Sequence, residues 1–278
     1  MERDCRKLSS IKRDVLCDMS RLVDQVDWHA LGEHNHAYRA YERQPYEKLI
    51  AAELPVWDRV IDFFVNRRQV ACRGILDVGT FFPYYPTVFK RLGYPTEVVE
   101  KSALYGTGYD PIKRYTVEQG IRFHDMDIIS DPTDDLPRGY DVLLCAVLEH
   151  LNGSPRVLLE KLKALMSADS VIYILVPNMC SIGRVWSMIR GRSPLPSYEA
   201  YWHSSYPFEG HNREMTLEEL RTLCKLASLK IVDAGSFALP IPRNGEALRA
   251  RIRNRVFGVL KRMLPAYTDV VYAAATKS

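Results

Sequence analysis

The sequence contains no long apolar run and few cysteines, and both absences narrow its class. No stretch approaches the roughly 20 apolar residues that cross a bilayer, and residues 1–14 are charged, unlike a secretion signal. The six cysteines include no Cys-x-x-Cys pair, which argues against a zinc site or a disulfide framework and predicts buried free thiols. We therefore expect a cytoplasmic protein.

The chain also lacks a strong charge of either sign. Its 38 basic and 34 acidic residues give a formal charge of +4 over 278 residues. That excess alone does not predict an anionic partner. No Asn/Asp-Pro-Pro-Tyr-like base-flipping motif is present, since Pro177-Asn178 is followed by Met179-Cys180, so we expect no nucleic-acid substrate. A hydrophobic content of 47% is ample for one large domain with an appendage.

Residues 1–70 have no strand-like run and two stretches of apolar residues at helical spacing, which predicts a helical amino-terminal cap. The polar and aromatic segment that begins at residue 28 is typical of a lid over a pocket. Within it we expect Tyr38 and Tyr41 to contact substrate. His34 and His36 lack further ligands at useful spacing, so no metal is predicted there; we expect them to be structural or substrate-facing.

From Arg73 onward, strand patterns alternate with helical ones, which predicts βαβ units and a parallel sheet. The strands are expected at 75–78, 96–100, 121–128, 140–146, 171–176, 230–237 and 269–276. The helices are expected at 86–92, 156–166 and 216–227. The first strand ends on Asp77 and Gly79, at the position where an open α/β sheet binds its ligand.

Five segments occur in a characteristic order: Ile-Leu-Asp-Val-Gly at 75–79, Phe-His-Asp-Met-Asp-Ile at 123–128, the run 140–151, Val-Pro-Asn at 176–178, and the run 211–220. Together they resemble the motifs of class I S-adenosylmethionine-dependent methyltransferases, especially the group that includes ubiquinone-biosynthesis and sugar O-methyltransferases. The match extends from about residue 73 to the end. The resemblance implies a Rossmann-like, doubly wound, mostly parallel seven-stranded α/β sheet over 71–278, with its last two strands antiparallel.

The same resemblance implies a binding site for S-adenosylmethionine and for its product S-adenosylhomocysteine, without a metal. Asp77 is expected near the methionine ammonium, Glu100 on the ribose hydroxyls and Asp127 on the adenine amino group, with Ile128 against the ring. The remaining cofactor-binding residues are expected to be Gly79, Thr80 and Ala146. Asp110 is the alternative ribose acid, and we prefer Glu100 because it ends the β-like run 96–99.

Methyl transfer to a hydroxyl needs positioning of the reactants and a base that takes the proton. His150 is the first candidate and His211 the second, with Glu149 beside them. His203 and Arg213 lie in a long segment, 179–214, that we expect to cover the acceptor. The expected activity is therefore O-methylation of a small molecule or of a sugar or glycan.

One feature departs from the resemblance. The family usually has a second glycine two residues after Gly79, whereas this chain continues Thr-Phe-Phe-Pro-Tyr-Tyr-Pro at 80–86. The loop either follows a wider path around the cofactor or has lost cofactor binding. A catalytically silent protein of this fold, which binds a ligand or a partner, is therefore the alternative function.

Residues 244–264 form an amphipathic pattern with one acid and an excess of arginine. The apolar stripe consists of Leu248, Ile252, Val256, Val259 and Met263. Such a helix suits peripheral contact with an anionic membrane. The preferred interpretation is a helix packed on the sheet with solvated arginines. A homodimer is the other partner that we consider.

Overall fold

The structure, a computed structural model, describes residues 2–34, 47–67, 73–204, 208, 210–239 and 248–277. They form a seven-stranded sheet in the order β3-β2-β1-β4-β5-β7-β6. The strands are β1 (Ile75–Val78), β2 (Thr96–Glu100), β3 (Arg122–Asp125), β4 (Asp141–Cys145), β5 (Val171–Pro177), β6 (Leu229–Phe237) and β7 (Val270–Lys277).

Helices cover both faces of this sheet. They are α1 (Glu2–Val23), α2 (Trp28–His34), α3 (Glu47–Asp62), α4 (Tyr84–Arg91), α5 (Asp110–Glu118), α6 (Arg156–Leu165), α7 (Ile182–Ile189), α8 (Tyr198–Trp202), α9 (Leu217–Leu226) and α10 (Leu248–Met263). Short 3₁₀ turns lie at Ser102–Leu104, Gly106–Tyr109, Leu148–His150 and Pro265–Tyr267, and a π-helical turn at Phe63–Arg67.

The sheet confirms the predicted fold class. Strands β1 to β5 pair in parallel, whereas β7 is antiparallel to both β5 and β6. Strand β1 is entirely buried and pairs with β2 on one side and β4 on the other, so that Ile75 lies beside both Thr96 and Asp141. The order of the strands reverses at β1, and their carboxyl ends there form the crevice in which such sheets bind ligands.

The amino-terminal helices belong to the core on one face of the sheet. Met19, Leu22 and Leu31 are almost completely buried in the same apolar cluster as Phe89 of α4 and Tyr173 of β5. Burial of side chains of this size stabilises the fold by about 2 kcal/mol each. The cap is therefore continuous with the domain core.

Helices α6 and α9 cover the opposite face. The leucines of α6 lie on one side of the helix and are buried with Val142 and Ile174 of the sheet. Helix α9 begins with a capping box, in which Thr216 Oγ1 accepts from the Glu219 amide and the Glu219 carboxylate accepts from the Thr216 amide.

Some boundaries and local details differ from the prediction. Strand β3 is shorter than expected, because it ends at Asp125, where the backbone turns toward Asp131. After β2 the chain forms two 3₁₀ turns, Ser102–Leu104 and Gly106–Tyr109, before α5 begins at Asp110. Cys17 is exposed rather than buried, because it lies on the outer side of α1.

Among the described residues, none of the helices is both long and apolar enough to cross a bilayer.

Candidate functional site

The turn after β1 comes close to the turn after β4. Gly79 has a φ of +79° and donates its amide to the carbonyl of Val99 at 2.9 Å. A Cβ at this position would lie 2.4 Å from Cγ2 of Val147. Glycine is therefore required both for the backbone conformation and for the close approach of the two turns.

Asp77 ends β1 as a buried acid, with 3% of its surface exposed. Burial raises the pKa of Asp77 to about 7, and a hydrogen bond from Thr80 offsets only part of this effect. A buried carboxylate without a strong counterion is destabilised. A cationic ligand at the carboxyl end of β1 would relieve that cost.

Glu100 ends the neighbouring strand β2 and is also buried. Its Oε1 accepts from the Lys101 amide at 2.8 Å, whereas Oε2 receives no hydrogen bond from the residues that the structure describes. Burial raises the pKa of Glu100 to about 7, with a further contribution from nearby Asp77. Asp110, the alternative ribose acid, is exposed at the first turn of α5.

The turn after β3 contributes a more exposed acid. Asp127 accepts from the Ile129 amide and pairs with Lys101 Nζ at 3.1 Å. These partners outweigh burial and hold the pKa of Asp127 below its usual range. Ile128 is buried in the core on the α6 face, with 8% of its surface exposed. This burial leaves it little surface with which to contact an adenine ring.

The backbone after β4 is strained at Ala146, whose φ is +56°. A positive φ is uncommon in residues other than glycine, and such strain is typical of functional sites. The Ala146 amide bonds to the carbonyl of Leu175 at 2.8 Å, which fixes this conformation. Nothing in the sequence indicates the strain.

The bulky residues that replace the second glycine pack against the amino-terminal helices. Phe82 stacks parallel to Trp28 at 6.4 Å between ring centroids, and Tyr84 stacks on Trp57 at 4.3 Å. The carbonyl of Thr80 accepts a hydrogen bond from Tyr109 Oη at 2.6 Å. The loop therefore turns toward the cap, which accounts for its aromatic residues without requiring loss of the ligand crevice.

A second group of polar side chains follows β4. Glu149, His150 and His211 each present a ligand atom within 4.8 Å of the others, and the two imidazole rings meet edge to face at 4.8 Å between centroids. The segment around His211 is held there because the amides of Asn212 and Arg213 donate to the carbonyl of Glu149. The structure thus brings together the three residues predicted to be catalytic.

Glu149 is fully buried, and among the described residues neither carboxylate oxygen has a hydrogen-bond partner. Burial raises the pKa of Glu149 to about 7, although the nearby His211 favours its ionised form. Burial, together with the charges of Asp77 and Glu149, also raises the pKa of the Cys145 thiol. Cys145 is therefore close enough to both Asp77 and Glu149 to be affected by their charges.

Two residues that sequence analysis did not assign orient this cluster. His211 Nδ1 lies 2.6 Å from Oε1 of Glu214, and Nη2 of Arg184 lies 2.5 Å from the same oxygen. Glu214 is 4% exposed. The His-x-x-Glu spacing within 211–214 was the available signal for Glu214, whereas no pattern pointed to Arg184.

This arrangement has two chemical capabilities. A histidine with a carboxylate on Nδ1 presents Nε2 as a proton acceptor. Two imidazoles and a carboxylate are also a ligand set that suits a divalent cation. Among the described residues, Glu149, His150 and His211 are the one such group with this spacing.

Of the predicted substrate residues, the structure describes His203 and Arg213. Tyr38 and Tyr41 lie outside the described residues, as does His36. His203 is exposed just after α8, and Arg213 directs its guanidinium to Glu219 at 3.0 Å. His34 contacts the carbonyl of Ala103 at 2.6 Å, which is a structural contact.

Comparison with known proteins places the fold. No protein-family model matches the chain, and no curated protein matches it. An S-adenosylmethionine-dependent methyltransferase from Archaeoglobus fulgidus is similar in structure, with a TM-score of 0.52 and 21% identity over 83% of this chain and 94% of that one. A Thermotoga maritima methyltransferase has a TM-score of 0.55 and 11% identity over 86% and 98%.

A third similar structure is the magnesium protoporphyrin IX methyltransferase of Synechocystis with bound S-adenosylhomocysteine. Its TM-score is 0.50, with 10% identity over 82% of this chain and 84% of that one. At these identities the likeness concerns the fold. The chain therefore has the fold of the class I S-adenosylmethionine-dependent methyltransferases.

Proposed function

We propose that this protein is an S-adenosylmethionine-dependent methyltransferase that methylates a hydroxyl group of a small molecule or glycan. The observation that carries the proposal is the pair of buried acids, Asp77 and Glu100, beside the positive-φ turn at Gly79. Both acids are destabilised by burial as ligand-free carboxylates. The fold and this pair of buried acids both support S-adenosylmethionine as the ligand.

The residues present fit the cofactor. The carboxylate of Asp77 would attract its ammonium group, and the carboxylate of Glu100 would accept from a ribose hydroxyl. Asp127, which keeps its charge through Lys101 and the Ile129 amide, is a weaker candidate for the adenine amino group. When bound, the cofactor supplies a methyl group on a cationic sulfur, which leaves as a neutral thioether.

The protein's own task in the reaction is to position the acceptor and to take its proton. His211, held through Nδ1 by Glu214, keeps Nε2 as a proton acceptor, and its ring packs edge to face against His150. Proton removal by a positioned base typically accelerates such a step ~100- to 10,000-fold. These contacts favour His211 over His150, the first candidate from sequence.

Calorimetry with S-adenosylhomocysteine tests the binding half of the proposal. Wild-type protein should bind. Glu100→Ala should bind at least tenfold more weakly, because it loses a hydrogen bond to a charged group, and a loss of about 1.4 kcal/mol corresponds to tenfold in affinity. Asp110→Ala is the matched control, because that acid is exposed. No binding by wild type would favour the alternative, a catalytically silent protein of this fold.

The reaction itself is tested with a panel of hydroxyl-bearing small molecules and sugars. Formation of S-adenosylhomocysteine and of an O-methylated product, identified by mass spectrometry, is the expected result. Products methylated only on nitrogen would retain the methyltransferase assignment and overturn the hydroxyl acceptor.

A further inference from the structure

We propose that helices α7 and α10 together form a docking surface for an anionic lipid bilayer. This inference is independent of the proposed methyl transfer. The two helices pack against each other, and the Trp186 ring meets Phe257 edge to face at 6.3 Å between centroids. The docking surface is defined as the outward sides of α7 and α10.

The outward side of α10 is apolar where a solvated helix would be polar. Val256, Val259 and Met263 follow one another at i, i+3 and i+7 and are 50%, 51% and 71% exposed. The preferred expectation from sequence was that this stripe would pack on the sheet. Along the described part of the helix the structure contradicts that expectation, because the stripe faces away from the core.

Helix α7 extends the apolar surface. Ile189 is 71% exposed, Met188 45% and Trp186 43%. Contiguous exposed apolar residues of this kind mark a site of interaction. Tryptophan is well suited to the boundary between lipid headgroups and acyl chains, since its ring is apolar and its N–H polar.

The charge around this surface identifies the partner. Residues 182–192 and 248–264 contain nine basic residues and no acidic one. Two of the nine are used internally, Arg184 on Glu214 and Lys261 on Asp269. Four are exposed with no ion-pair partner in the described part of the chain, and these are Arg190, Arg192, Arg255 and Arg262.

An apolar stripe flanked by arginines binds a surface that is itself apolar and negatively charged. A bilayer with anionic headgroups has both properties, and each basic residue near it strengthens binding roughly fivefold. Helix α7 also connects the docking surface to the candidate site, because its Arg184 bonds to the carboxylate that holds His211.

Vesicle co-sedimentation tests the proposal with the full chain. Vesicles of phosphatidylcholine and phosphatidylglycerol should bind the protein at low salt, whereas pure phosphatidylcholine should bind it at least tenfold more weakly. The double variant Ile189→Asp with Met263→Asp should reduce binding to the mixed vesicles at least tenfold, since both side chains would enter the bilayer. The double variant Arg190→Gln with Arg192→Gln should bind the mixed vesicles more weakly than wild type, and its binding should decrease less when salt is added.

The matched control places the same kinds of change on another helix. Val117 is 55% exposed on α5, and Arg114 is exposed beside it, so Val117→Asp with Arg114→Gln should leave vesicle binding unchanged. In a Trp202→Phe background, vesicles should shift the fluorescence of Trp186 to shorter wavelength. The further change Trp186→Phe should remove that shift.

Three results would overturn the proposal. The first is retention of the wild-type protein in the supernatant when it is mixed with anionic vesicles at low salt. Equal binding by the docking-surface variant and the α5 control is the second. A wild-type dimer in analytical ultracentrifugation that Ile189→Asp converts to a monomer is the third, since it would assign the surface to a second copy of this chain.

Discussion

His211 and Glu214 form a hydrogen-bonded pair in which Nδ1 lies 2.6 Å from a carboxylate oxygen that is almost completely buried. Arg184 contacts the same oxygen, so the carboxylate is held in place from two sides. The imidazole therefore donates through Nδ1 and keeps Nε2 as an acceptor. This relationship makes His211 the residue to test first.

We expect His211→Ala to lower turnover by ~100- to 10,000-fold with little change in the affinity for S-adenosylhomocysteine. Glu214→Gln should give a smaller loss, and Glu218→Gln, an exposed acid of α9, is the control. Steady-state kinetics across pH measures all three.

Two outcomes would reassign the cluster. A larger loss in His150→Ala than in His211→Ala, together with a pH profile that changes only in the His150 variant, would return His150 to the position of base. Loss of activity on treatment with EDTA, restored by zinc, iron(II) or manganese, would mean that Glu149, His150 and His211 hold a cation.

Gly79→Ala should abolish binding of S-adenosylhomocysteine, because the added Cβ would lie 2.4 Å from Val147 and would displace the turn after β4. Gly93 provides a matched control. Its φ is +95°, yet a Cβ there meets no atom within 4 Å. Both variants carry the strain of a positive φ, about 1 kcal/mol, and only the first should lose the ligand in calorimetry. Equal affinities would separate Gly79 from the binding site.

The sheet could be predicted from sequence because its strands are short apolar runs with clear ends. Ile75–Val78 and Val171–Pro177 are buried along almost their whole length, so their pattern depends little on their neighbours. The 3₁₀ turns before Asp110 were not predictable in this way, because their conformation depends on contact with α2. A Cβ at Gly108 would lie 2.7 Å from the carbonyl of Asp27.

The candidate site was predictable in part for the same reason. Asp77 and Glu100 lie at the carboxyl ends of predicted strands and Gly79 follows the first of these strands, so the sheet places the three residues at one edge. Arg184 could not be assigned, because its contact with Glu214, 30 positions along the chain, leaves no local pattern. The strain at Ala146 is set by its hydrogen bond to β5, which sequence does not reveal either.

Met19→Ala should destabilise the protein by about 2–5 kcal/mol, because α1 shares a core with the sheet and the substitution leaves a cavity. Leu226→Ala on α9 removes a side chain that is 79% exposed and should change stability by less than about 0.5 kcal/mol. Urea denaturation, compared at equal m-values, measures both changes. A Met19→Ala protein as stable as wild type would show that the amino-terminal helices are not part of the folded core.

The affinity for S-adenosylhomocysteine should rise between pH 6 and pH 8, in the range where the buried acids ionise. Burial raises the pKa of Asp77 to about 7 in the ligand-free protein, so this carboxyl is largely protonated below that pH. An ammonium ligand favours the charged form, and binding therefore releases a proton. Because each such proton must be released on binding, the affinity falls about tenfold for every pH unit below 7. Well above pH 7 the acid is already ionised, and the affinity hardly depends on pH.

Asp77→Asn removes one of the acids that release a proton when S-adenosylhomocysteine binds. The variant should bind more weakly than wild type at pH 8, and its affinity should depend less steeply on pH, with the remaining dependence due to Glu100, whose pKa is also raised to about 7. Calorimetry in buffers with different heats of ionisation counts the released protons directly. The same count in wild type and Asp77→Asn would mean that Asp77 does not meet the ammonium group.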